Sequence, residues 1–243
     1  MLIEGGITVV SPAWEVSEPQ APGFVRAYWV HGGTAEYRDG LGGRLLAPGH
    51  IYLFPSATPY WMRTRAEDPL YCTFIHLDIQ PLRLVRLLDR GPEDPLCLPV
   101  FQAIREAYRR GYPETAAGAA AALEAYGAES GLLEKPDPQI AALCAYMADH
   151  FAEPLTVAGL SARFGYNDQY FIRLFRRGVG STPHQYLLQL RLREAVRLLQ
   201  GDAPIYAIAA RVGFRDGETF CRAFKRRYGL SPGMYRKTKE PTP

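Results

Sequence analysis

No stretch of this sequence approaches 18 uninterrupted apolar residues, so no segment is read as a membrane-spanning helix. The opening residues, MLIEGGITVVSPAWEVSE, place an acid at position 4 and hold no basic run, which is not the pattern of a secretory signal. Cysteine is scarce. Cys72, Cys97, Cys144 and Cys221 are scattered with no C-x-x-C pair, which argues against a disulfide frame or a zinc knuckle and for reduced thiols in a cytoplasmic protein. Histidine is equally thin. His31, His50 and His76 stand alone, with no H-x-H pair to begin a metal centre. No nucleophile elbow, glycine-rich phosphate loop or paired carboxylates stand out. No enzymatic activity, cofactor or metal is expected.

What is present fits a soluble globular protein: 243 residues, enough for two cores, with 47% hydrophobic and 22% charged residues. The net charge of +3 is unevenly placed. Residues 1–135 sum to −4 and residues 136–243 to +7. Such a split suggests that the C-terminal half meets a polyanion.

The first hundred residues are β-rich. FVRAYWV, RLLAPGHIYLFP and LYCTFIHLDI are short β-branched and aromatic runs between Gly and Pro clusters, which predicts a sandwich or barrel. Alternation puts Cys72, Phe74 and His76 on one strand face and Tyr71, Thr73, Ile75 and Leu77 on the other; Trp29 and His31 share a face, as do Trp61 and Arg63. From about residue 99 the pattern turns helical and alanine-rich, and EKPDP at 134–138 marks a linker.

The C-terminal half contains a repeat. LSARFGYND at 160–168 aligns with IAARVGFRD at 208–216. After one extra residue, Phe171 matches Phe220, Arg173 matches Arg222, Phe175 matches Phe224, Gly180 matches Gly229, Pro183 matches Pro232 and Tyr186 matches Tyr235. Each copy reads helix, glycine turn, helix. Asn167 or Asp168, and Asp216, are placed to cap the second helix. Phe171, Leu174 and Phe175, and likewise Phe220, Ala223 and Phe224, have the spacing of a buried helix face. Arginine, glutamine and glutamate occupy the other side. That is the chemistry of a helix-turn-helix reader, because Arg suits guanine, Gln adenine and Glu the amino group of cytosine. Arg191, Arg193 and Arg197 make the connecting helix at 184–200 basic as well.

GFRDGETFCRAFKRRYGLSPGMYR resembles the AraC/XylS family of bacterial transcription regulators over about a dozen positions at fixed spacing. It departs from that pattern at Gly217 and at Thr219, where an aromatic is usual. The resemblance implies an α+β chain: a cupin-like β-barrel sensor at 1–98, a helical dimerisation segment at 99–134, and a DNA-binding domain at 136–243. That domain would hold helix-turn-helix units near 156–179 and 204–228. Base contacts would fall to Gln169, Ile172 and Arg173 in one unit, and to Glu218, Thr219, Cys221 and Arg222 in the other. Arg176, Arg177, Lys225 and Arg226 would meet phosphates. Double-stranded DNA, a second copy of the chain and a small effector are the implied partners, with RNA polymerase a further candidate.

LAPGHIYLFPSATPYWM resembles the family's sensor barrels, which implies a sugar-like ligand near His31, Trp61, Cys72 and Phe74. Three alternatives stay open at this point. These residues could fill a solid barrel; the N-terminal half could bind only itself or a protein partner; and a metal-dependent cupin enzyme is the rival from another class.

Overall fold

A computed structural model describes residues 1–19, 22–228 and 230–237. The chain divides into two compact units, Met1–Pro136 and Asp137–Pro243.

Among the described residues unit 1 holds nine strands: β1 (Leu2–Val9), β2 (Glu15–Glu18), β3 (Val25–Gly32), β4 (Ala35–Asp39), β5 (Gly42–Leu46), β6 (Ile51–Leu53), β7 (Tyr60–Thr64), β8 (Tyr71–Leu77) and β9 (Leu88–Arg90). They form two antiparallel sheets, β1-β8-β3-β6-β9 and β2-β7-β4-β5. The expected closed barrel is therefore corrected to two open sheets face to face. The chain's corners explain the difference. β3 leaves the larger sheet through Gly33 (φ +76) and enters the smaller one as β4, while β5 returns to the larger as β6 through Gly49 (φ +85). Apart from β4–β5 and β8–β9, successive strands thus exchange sheets, and among the described residues no ladder joins the two. A side chain at Gly33 would also lie 2.1 Å from the Pro69 carbonyl oxygen, so the corner admits only glycine.

Between the sheets lies an aromatic core that includes Tyr28, Tyr37, Tyr52, Phe54, Tyr60, Met62 and Cys72. The larger sheet is covered on its other side by α1 (Cys97–Arg110) and α2 (Pro113–Glu129). Phe101, Ile104, Ala116, Ala120 and Leu123 of these helices pack on Val25, Ala27, Ile51 and Ile75. Burial on both faces is why β3 and β8 read as nearly continuous apolar runs. The smaller sheet has one face in solvent. In β7 Tyr60, Met62 and Thr64 are buried while Arg63 is exposed and Trp61 half-buried.

β1 escapes the sequence reading because Gly5 and Gly6 lower its strand propensity. Each glycine makes room for a ring on a different face. A Cβ at Gly5 would lie 2.5 Å from the Tyr108 hydroxyl of α1, and one at Gly6 would crowd the Phe74 ring at 3.3 Å.

Unit 2 is helical: α3 (Pro138–Asp149), α4 (Val157–Arg163), α5 (Asp168–Val179), α6 (Pro183–Leu198), α7 (Ile205–Arg211), α8 (Gly217–Tyr228) and α9 (Pro232–Lys237). Two cores share α6. Its Tyr186, Leu187 and Leu190 pack with Phe171 and Phe175, and its Leu192, Ala195 and Val196, with Leu199 at its C-cap, pack with Phe220 and Phe224. Phe151, after α3, touches both. The repeat extends to the ring pairs. Tyr186 meets Phe175 at 5.5 Å and Tyr235 meets Phe224 at 5.4 Å, edge-on in both cases. The short α9 is thus the second copy of the start of α6. Gly229, the match of Gly180, lies outside the described residues. Among the described residues no helix is long and apolar enough to cross a membrane.

Candidate nucleic-acid interface and sensor cavity

α4 and α5 are joined through Gly165 (φ +74), and α7 and α8 through Gly213 (φ +85); both backbones are left-handed, which favours glycine. The caps occupy matching positions at an offset of 49. Asn167 accepts from the Tyr170 N–H at 2.9 Å, the ordinary N-cap bond. In the second copy the cap is Asp216, which accepts from the Thr219 N–H at 2.7 Å and from its hydroxyl at 3.0 Å. The Thr219 N–H holds the Asp216 carboxyl below its ordinary pKa. Asp168, the counterpart of Asp216 at an offset of 48, accepts instead from the Ser161 hydroxyl. The reason is local: Ser161, whose buried hydroxyl also reaches the Ala158 carbonyl oxygen at 3.1 Å, gives Asp168 a donor, whereas its counterpart Ala209 has no hydroxyl.

α5 buries Phe171, Phe175 and Val179, and α8 buries Phe220 and Phe224. The opposite side of α5 carries Gln169, Ile172, Arg173 and Arg176 at i, i+3, i+4 and i+7. α8 repeats that stripe as Glu218, Cys221, Arg222 and Lys225. Gln169, Arg173, Arg176, Glu218, Thr219, Arg222 and Lys225 are exposed, and Ile172 and Cys221 are half-buried. Arg177 and Arg226 are exposed next to the two stripes. Among the described residues Arg173, Arg176, Lys225 and Arg226 have no carboxylate within ion-pair distance. Arg222 does: Glu218 lies 3.8 Å away, one helical turn back. An exposed pair of this kind contributes little, about 0.3–0.5 kcal/mol, so both side chains can be recruited by a ligand.

The basic character of α6 has a different use from the one its sequence suggests. Arg191 donates to the carbonyl oxygens of Phe151 and Glu153, both at 2.8 Å, and so ties α6 to the segment after α3. Arg197 is held by Glu194 through two bonds of 2.9 and 2.6 Å. The sequence pattern alone does not single out Tyr170, exposed beside Gln169 with its ring 5.5 Å from Tyr166. The repeat is the signal that could have found it, since Tyr170 occupies the position of Thr219.

In unit 1 the four residues expected to line a pocket do not converge. Cys72 and Phe74 sit on the inner face of the larger sheet, in the wall of a half-open cavity of about 240 Å³. Burial pushes the Cys72 thiol up to about 12. His31 is on the helix side of that sheet, bonded to the Thr73 hydroxyl at 2.8 Å and 4.4 Å from the Trp29 ring. Trp61 is on the outer face of the smaller sheet, donating to Glu15 at 2.9 Å with Arg38 over its ring. The alternation rule assigns faces within one strand, but it cannot say which face of which sheet meets another. The remaining walls come from Glu4, Thr8, Val10, Trp14, Tyr28 and His76. The three N-terminal histidines stay apart: His50 is bonded to Asp89 at 2.7 Å and His76 to Glu4 at 2.6 Å.

Residues 160–238 match a family model described as a helix-turn-helix domain. The chain is 34% identical over 95 residues to the regulatory protein SoxS of Escherichia coli K12, covering 39% of this chain and 89% of SoxS. It is 36% identical over 91 residues to the probable transcriptional regulator LumQ of Photobacterium leiognathi, 37% of each chain. The matched part thus spans well under half the length of that longer relative. Over the whole chain the fold is similar to that of ToxT from Vibrio cholerae O395, with a TM-score of 0.58, 12% identity and 98% of each chain covered.

Proposed function

Because the chain belongs to the AraC/XylS family of transcription regulators, we propose that it reads double-stranded DNA with α5 and α8 and answers to a small ligand in unit 1. The observation that carries the first part is the repeated stripe. Two helices, each anchored by a pair of buried phenylalanines, offer chemically matched exposed rows from one domain. Gln169, Ile172 and Arg173, with Glu218, Thr219, Cys221 and Arg222, read base edges. Arg176, Arg177, Lys225 and Arg226 hold phosphates and set register. At Thr219 the hydroxyl is engaged by Asp216, so a base contact there requires the hydroxyl to rotate or to accept.

The second part is supported by the inner-face cavity at Cys72 and Phe74, which replaces the four-residue pocket as the ligand site. A small polar metabolite is the ligand class that the family resemblance favours. Assembly into a homodimer through the 99–134 helices belongs to the same reading. It would use the exposed side of α2, around Gly118, Ala121, Ala122 and Ala125, because the other side is taken up by the sheet.

Selection of a preferred DNA site from a random pool, followed by titration of variants, tests the proposal. Arg173→Ala is expected to lose about 1–3 kcal/mol on the preferred site and to relax discrimination at one base pair. Arg177→Ala is expected to weaken all sequences alike and to reduce the salt slope by about one. Equal weakening of random and preferred DNA by Arg173→Ala refutes the base-reading role.

A further inference from the structure

The cavity on the inner face of the larger sheet has an unusual wall for a sugar site. Neutral sugars are held by several fixed donors and acceptors. Here the polar groups of the lining are Glu4, Thr8, His76, the Tyr28 hydroxyl and the Trp14 indole N–H, and Glu4 and His76 are already bonded to each other at 2.6 Å. The rest is apolar or aromatic, with no lysine or arginine. Trp14, Tyr28 and Phe74 meet with neighbouring ring centroids 6.3 Å apart and planes inclined by 50° and 80°. Three rings in three planes form the walls of a cage rather than a stacking platform.

Charge points the same way. Glu4, His76 and Arg26 lie in one cross-strand row on β1, β8 and β3, and Arg26 is neutralised in turn by Glu18 at 2.7 Å. Glu18 thus answers Arg26, and no lysine or arginine stands among the described lining residues to repel a cation. Glu4 is the carboxylate that lines the cavity. Gly6 adds a steric observation. It stands between Glu4 and Thr8, and without a Cβ it leaves the Phe74 ring uncrowded over β1, where a Cβ would lie 3.3 Å from the ring.

We propose that the Trp14–Tyr28–Phe74 cavity takes a small alkylated ammonium ion, its methyl groups against the three rings and its charge answered by Glu4. The ring faces supply the negative end of their quadrupoles to the cation, which is how aromatic cages hold quaternary ammonium groups. The volume of about 240 Å³ is below that of drug-sized pockets and suits a metabolite of modest size. The proposal rests on the reading of unit 1 as a ligand sensor and narrows its ligand class.

Isothermal titration and thermal shift of the full-length protein decide it, with choline and its neutral isostere 3,3-dimethylbutan-1-ol as probes and a panel of neutral pentoses and hexoses beside them. Choline is expected to bind and to raise the melting temperature, with the isostere weaker by about tenfold or more. Glu4→Gln is expected to erase that preference while leaving the isostere's affinity unchanged. Trp14→Leu, on the cavity wall, should lower choline affinity at least about tenfold if Glu4→Gln proves too unstable to titrate. Equal binding of choline and isostere overturns the proposal, as does a preference that survives Glu4→Gln. A sugar that binds where choline does not overturns the ammonium class but keeps the sensor. Failure of choline, the sugars and a broad metabolite library alike removes both.

Discussion

Gly165 and Gly213 occupy the same place in the two copies of the repeat, yet alanine at each should have different consequences. Both backbones are left-handed, with φ of +74 and +85. An L-residue pays roughly 1–2 kcal/mol for that conformation. At Gly165 a methyl group would meet nothing within 4 Å, so Gly165→Ala should lose about 1–2 kcal/mol and no more. At Gly213 the methyl carbon would lie 2.5 Å from the Ala152 carbonyl oxygen and 2.9 Å from its carbonyl carbon and Cα. All three are backbone atoms in the segment after α3 and cannot turn aside as a side chain would. Forced accommodation adds about 1–3 kcal/mol, so Gly213→Ala should lose about 2–5 kcal/mol in all. For a unit of this size each kcal/mol lowers the melting temperature by about 4–8 °C. Calorimetry of the full chain, following the transition of the helical unit, measures both variants. The close approach also seats α8, so Gly213→Ala should weaken DNA binding even under conditions where the unit stays folded. Equal losses for the two substitutions would refute the argument, because backbone strain alone would then explain both.

The other predictions concern groups whose roles the sequence left open. Arg191→Met should destabilise the helical unit by about 1.5–3 kcal/mol through its two lost carbonyl bonds, measured by urea unfolding, and leave the salt slope of DNA binding unchanged. Ser161→Ala should lose only about 0.5–1.5 kcal/mol in the same measurement, since Ala209 already serves at the matching position. Burial, together with the charge of Arg105, holds the His31 imidazole at about 4, below its ordinary 6.5. The unfolded chain therefore takes up a proton first, so the stability of unit 1 should be full above about pH 6.5 and fall progressively down to about pH 4. His31→Gln should flatten that fall in thermal scans across the same range.

The helical unit was legible in the residues because its information is local and doubled. The 3.6-residue spacing of Phe171 and Phe175, the glycine at each turn and the polar residue before each second helix all appear within a short window, and they recur 48 or 49 positions later. Two copies obeying the same spacing fix the elements, their buried faces and their exposed stripes before any coordinates exist. Even so, the sequence could not choose between Asn167 and Asp168 as the cap. That choice depended on Ser161, a buried hydroxyl from the preceding helix that claims Asp168. Nor could it tell an arginine that faces solvent from Arg191, whose partners lie about forty residues away.

The β unit was less legible, for a physical reason. A period of two says which side chains share a face, but not which face a second sheet or a helix will cover. Cys72 and Phe74 were correctly paired on that rule, while His31 and Trp61 were drawn in with them although one lies under the helices and the other in the solvent-facing layer. The strand that completes the cavity was hidden by its two glycines, whose purpose appears only when Tyr108 and Phe74 are seen to press on either side of it. Local spacing thus determined the helix-turn-helix repeat. Long-range pairing across 72 residues, from Glu4 to His76, decided where the cavity lies, because only the folded sheet brings that carboxylate to the aromatic walls.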